Sequence, residues 1–100
     1  MGWFFSSKPN QELDAHERAH ERAYKALGIP YRIVDRRGVP VLEGRISHSK
    51  SGSRKGAIAL YAGYLAGGGD DEGDRAAALG LAREAGMSED EVRREAQKYV

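Results

Sequence analysis

Along the first quarter of the chain, Leu13, His16, His20, Tyr24 and Leu27 recur every three or four positions, while Glu12, Arg18, Glu21, Arg22 and Lys25 lie mostly on other faces. That period is helical. Ala15, Ala19, Ala23 and Ala26 add propensity and Gly28 followed by Pro30 supplies a stop, so the pattern predicts a helix over 11–27. The next apolar runs, over 31–34 and 39–47, read as two strands joined around Asp35-Arg36-Arg37-Gly38, and Pro40 makes the second start late or lie at an edge. Residues 47–55, rich in Ser, Gly and basic side chains, read as a mobile solvated loop, with capture of an acidic partner or phosphate as the alternative.

Ile58, Leu60, Tyr61 and Leu65 mark a small-residue helix over 57–66, suited to close packing on the first. A flexible acidic turn is expected over 67–73. It leads to Asp74, after which Ala78, Leu81 and Ala82 recur at helical spacing, predicting a further helix that Gly86 ends. Ser88-Glu89-Asp90-Glu91 is a capping box for a last helix with a narrow stripe of Val92, Ala96, Tyr99 and Val100. The sum is a mostly helical α+β domain over 11–100 with a short edge hairpin, preceded by an aromatic segment over 1–10. Trp3, Phe4 and Phe5 in that segment are expected to fold back on the domain or cover a partner surface, because three adjacent exposed aromatics make a sticky patch.

Composition narrows the function classes. One hundred residues carry one modest core, whose stability benefits from packing, oligomerisation or a metal. Without cysteine there is neither a disulfide nor a thiolate metal site. Sixteen basic against fifteen acidic residues give no general case for nucleic acid or an anionic membrane as partner. The amino terminus lacks the apolar stretch of a signal peptide or membrane span, so a cytoplasmic protein is expected. It formally fits the myristoylation pattern M-G-x-x-x-[ST], against which stand the bulky aromatics behind Gly2.

One motif demands a chemistry. His16-Glu17-Arg18-Ala19-His20 is H-E-x-x-H, and on a helix its two imidazoles project from one face toward a single ion. That is half of a zinc hydrolase site, in which Glu17 is the general base. The competing reading is a helix that happens to carry two satisfied histidines. A third ligand is required, and the extended form of the motif fails because Ala23 and Ala26 occupy its Gly and His places. His48 and Glu43 are candidates, but Asp74 is better placed, on the apolar side of its predicted helix. The alternative is that Asp74 simply caps the helix or favours its dipole, which spacing alone does not exclude.

The order of these blocks resembles the peptidase domain of FtsH-type ATP-dependent zinc metalloproteases. The resemblance is carried by His16-Glu17-x-x-His20, a two-stranded segment with Gly44, Ile58-Ala59-Leu60 leading to a glycine, Asp74-x-x-x-Ala78-x-x-Leu81-Ala82, and Gly86-Met87-Ser88. It implies a zincin-like fold, zinc held by His16, His20 and Asp74, and hydrolysis of peptide bonds with Glu17 as base. The chain departs from the family in having Ala19 where glycine is usual before the second histidine, and Gly67-Gly68-Gly69 after Ala66 where an Ala-Glu pair is usual. It also has no G-x-x-x-x-G-K-[ST] motif. The resemblance therefore implies a reduced, free-standing peptidase acting on flexible or unfolded polypeptides, or served by a partner ATPase or a homo-oligomer. The rival expectation is a non-catalytic, metal-stabilised protein-interaction module derived from such a peptidase.

Overall fold

The computed structural model describes residues 13–69 and 71–100, so the aromatic segment expected over 1–10 lies outside the described residues. The first helix, α1 (Ala15–Leu27), begins later than its periodicity predicts. Asp14, in extended backbone, is its N-cap and accepts the Glu17 N–H at 2.9 Å, satisfying a donor that has no partner inside the helix. Gly28 closes the helix as expected, with φ 72 and its N–H directed back to the last turn.

Strands β1 (Tyr31–Arg36) and β2 (Val39–Gly44) form an antiparallel hairpin in which Arg36 faces Val39 and Tyr31 faces Gly44. The loop contracts from the expected four residues to Arg37 and Gly38, both at positive φ (56 and 84), the twist a two-residue hairpin loop requires. Asp35 holds it by accepting the Gly38 N–H at 2.6 Å. Ladder bonds alternate along such a pair, so with Arg36 and Val39 bonded to each other, Pro40, Leu42 and Gly44 turn their backbone groups to the outer edge. Pro40 thus loses no ladder bond, as an edge position allows.

The largest departure from expectation is α2 (Lys50–Ala66), which absorbs most of the loop predicted over 47–55. Ser49 caps it by accepting the Gly52 N–H at 2.9 Å. Its first turns bury Gly52, Ser53 and Gly56, and the Ser53 hydroxyl donates to Glu84 at 3.0 Å. Lys50, Arg54 and Lys55 stay on the exposed side. At Gly56 the missing side chain is what admits its neighbours: a Cβ there would come within 2.8 Å of Ile46 and 2.9 Å of Leu81.

Helix α3 (Glu72–Ala85) starts at an Asp71 cap and α4 (Glu89–Ala96) at the expected Ser88 cap; a 3-10 turn, Gln97–Tyr99, follows. Helix α2 is central, with α1, α3 and α4 packed on it and the hairpin against α1. The shared core is built largely of alanines, among them Ala19, Ala23, Ala57, Ala62, Ala78 and Ala82, with Tyr61 and Val92 as its largest fully buried side chains. Small residues bring helix backbones close, which the site exploits. The Tyr61 hydroxyl donates to Glu89 at 2.7 Å, and Arg75 grips the same carboxylate at 2.9 and 3.0 Å, tying α2, α3 and α4 together. The architecture is α+β and mostly helical. Among the described residues no helix is long and apolar enough to cross a membrane.

Candidate metal centre

Helix α1 carries His16, Glu17 and His20 toward α2, α3 and the hairpin edge. His20 is buried, and its Nδ1 lies 2.9 Å from the Ala59 carbonyl. A carbonyl only accepts, so Nδ1 bears the proton and Nε2 faces away from α2. That Nε2 lies 3.1 Å from His16 Nε2 and 2.8 Å from Asp74 Oδ2, while His16 Nε2 lies 2.9 Å from the same oxygen. Two imidazole nitrogens and one carboxylate oxygen therefore converge on a point. Three donors bound to one tetrahedral zinc stand about 3.4 Å apart, so the observed triangle is within a few tenths of an ångström of a ligand set. His16, His20 and Asp74 are the one group of three or more metal-ligating side chains that draws together among the described residues.

The sequence left Asp74 open between a ligand and a cap. Asp71 is the cap: its Oδ1 accepts the Asp74 N–H at 3.1 Å, leaving the Asp74 carboxylate directed at the histidines. Of the other third-ligand candidates, Glu43 is held by Arg32 at 3.2 Å and Arg36 at 2.7 Å, and those bonds lower its pKa. His48 is exposed on the approach to α2. Neither joins the group.

Glu17 is almost fully buried, at 9% exposure. Its Oε1 accepts the outward Leu42 N–H at 3.0 Å, and its Oε2 lies 4.0 Å from His16 Nε2. The hairpin edge thus fixes one oxygen and leaves the other toward the donor triangle. Two openings reach this point, a cleft of about 420 Å³ that includes Tyr24, Val41, Leu42 and Leu60, and one of about 560 Å³ that includes Asp14, Ala66, Gly67 and Asp71.

Several positioning features escape a reading of side-chain types. Ala59 and Gly63 on α2 and Gly67 at its C-cap form a stripe at four-residue spacing: Ala59 offers its carbonyl to His20, the His20 ring lies on Gly63, and His16 Nδ1 lies 2.9 Å from where a Gly67 Cβ would be. On its other side His20 stacks on Tyr24, at 5.8 Å between centroids and 13° between planes, and Tyr24 stacks on Tyr31. Gly44 admits the Tyr24 ring, since a Cβ there would stand 2.6 Å from it. The spacing of small residues at 59, 63 and 67 was the available signal. A Cβ at Gly63 would run into the His20 ring, so Gly63→Ala is expected to lower stability by about 1–3 kcal/mol and to weaken any hold of the donor triangle on a cation, with zinc as the probe. Urea unfolding and zinc titration check this; unchanged affinity would show that this packing does not hold His20.

Burial pulls the His20 pKa down, but the hydrogen bond and charge of Asp74, helped by Ala59 and Glu17, outweigh it and leave the pKa raised above 6.5. In the metal-free chain the protonated His20–Asp74 link therefore stabilises fully below the unfolded value near 6.5 and is lost as pH rises through the raised folded value. A bound cation needs the same Nε2 lone pair. The affinity of this donor set for a divalent cation, with zinc as the probe, is accordingly expected to fall with decreasing pH from above 6.5, measured by competition with a chelating dye; affinity flat from about pH 8 to 6 would contradict it.

No family model, curated protein or solved structure matches the chain.

Proposed function

We propose that the chain is a small zinc-dependent metallopeptidase, zincin-like and similar to the FtsH-type peptidase domain, that hydrolyses peptide bonds in flexible or unfolded polypeptides. The observation that carries this reading is the convergence of His16, His20 and Asp74 beside a carboxylate, Glu17, anchored by one oxygen only. When bound, zinc at such a donor set supplies Lewis acidity toward a carbonyl oxygen and a water acidified toward neutrality.

The protein supplies the rest. Ala59 holds His20 in the tautomer that offers Nε2. Glu17 takes the proton of the attacking water on Oε2 and returns it to the leaving amine nitrogen, while the Leu42 N–H keeps its carboxylate from rotating away. The outer edge of β2 runs past this point; Pro40 has no N–H and Leu42 gives its own to Glu17, so this edge would meet an extended polypeptide with the carbonyls of Pro40 and Leu42 as acceptors. A partner ATPase or a homo-oligomer would serve to present folded substrates.

The reading that the centre is a metal-stabilised interaction scaffold draws on one observation, the burial of Glu17 and its bond to a backbone N–H, which is also what a purely structural carboxylate does. Digestion of casein and of a quenched-fluorescence peptide library by the zinc-loaded chain, with and without chelator, separates the two. The peptidase reading expects chelator-sensitive cleavage, whereas a scaffold binds zinc and cleaves neither.

A further inference from the structure

We propose that Asp71 is an outer member of the metal centre, a positioning residue that sets Asp74 with one carboxylate oxygen and raises affinity for a divalent cation with its charge. The inference rests on the metal-centre reading and goes beyond it: the acidic run Asp70-Asp71-Glu72 suggests cation affinity by composition only, and neither the motif nor its spacing gives Asp71 a role of its own. Two observations meet at this side chain. Its Oδ1 caps α3 through the Asp74 N–H at 3.1 Å, which fixes the backbone of the third donor. Its Oδ2 lies 3.6 Å from His16 Nε2, at the mouth of the larger cleft, with the side chain 46% exposed.

A cap alone would not need a carboxylate. Ser and Asn cap as well as Asp, as Ser49 and Ser88 do for α2 and α4. What aspartate adds is a negative charge next to a donor atom, and among the described residues the nitrogen within 4.0 Å of that charge belongs to His16 rather than to a lysine or arginine. Charge balance gives that a purpose. Two neutral imidazoles and the Asp74 carboxylate leave one net positive charge on a divalent cation, and the carboxylates of Glu17 and Asp71 both face it from just outside the donor set, Asp71 the nearer of the two to His16. Acting through half-exposed space, this attraction is screened by salt, whereas a capping hydrogen bond is not.

Asp71→Asn separates the two roles, because the amide oxygen keeps the cap and the charge is gone. Zinc and cobalt affinities of the wild type and of Asp71→Asn, measured by competition at low and high salt, are expected to differ by about ten-fold, with the difference shrinking as salt rises. The visible absorption of the cobalt form is expected to be the same in both, since the three donors are unchanged. Asp71→Ala, which loses the cap as well, is expected to bind more weakly still. If Asp71→Asn binds both metals as the wild type does at low salt, Asp71 is a cap only and the proposal is overturned. A changed cobalt spectrum would overturn it too, by making Asp71 a direct ligand. If the wild type itself binds neither metal, the metal-centre reading fails first, a result distinct from the other two.

Discussion

Glu17→Gln is expected, under the proposed peptidase mechanism, to bind zinc as the wild type does while hydrolysing peptides about 10²–10⁴-fold more slowly. Glutamine keeps the length and shape of the side chain, and its carbonyl oxygen still accepts the Leu42 N–H that Glu17 accepts at 3.0 Å. The donor triangle of His16, His20 and Asp74 does not include Glu17, so removing its charge leaves the ligand set intact. What the amide cannot do is take a proton on the oxygen that faces His16. Turnover of a quenched peptide and zinc content, measured on the same preparation, check the prediction together. Cleavage at the wild-type rate would remove Glu17 from the mechanism.

Asp74→Ala is expected to lower zinc affinity by at least about 100-fold, more than the loss of a residue that only supports a ligand. Both histidine Nε2 atoms lie within 2.9 Å of its Oδ2, so its removal takes the third donor and leaves two imidazoles facing each other at 3.1 Å. The fold is expected to persist. Helix α3 keeps the Asp71 cap and the buried contacts of Ala78 and Ala82, and the Asp74 carboxylate is no part of the alanine core. Circular dichroism and a competition titration on one sample check both halves. Affinity equal to the wild type would move the third-ligand role elsewhere.

The sequence announced the elements whose inner faces carry side chains of contrasting polarity. Helix α1, the hairpin and α4 stand close to their predicted places because Leu13, Tyr24 and Leu27, the alternating strand residues, and Ser88 with Val92 leave a pattern. The amino-terminal turns of α2 did not, since Gly52, Ser53 and Gly56 face inward through smallness rather than hydrophobicity, and their neighbours Lys50 and Arg54 give the composition of a loop. At α3 the sequence left Asp74 open between ligand and cap, because Asp71 and Asp74 are both good caps by type, and only the backbone shows that Asp71 accepts and Asp74 donates.

The candidate centre divides in the same way. His16, Glu17 and His20 are legible because H-E-x-x-H fixes both residue type and helical phase. Asp74 was legible as one option among three. The Ala59 carbonyl, the clearance at Gly63 and Gly67, and the second oxygen of Asp71 were not, because a backbone acceptor, an absent side chain and a distance of 3.6 Å leave no signature in residue type.

The most direct test of the account is the zinc retained per chain after loading and exhaustive dialysis, read by atomic emission on protein shown to be folded. The account predicts about one tightly held zinc. A folded chain that holds none would contradict it.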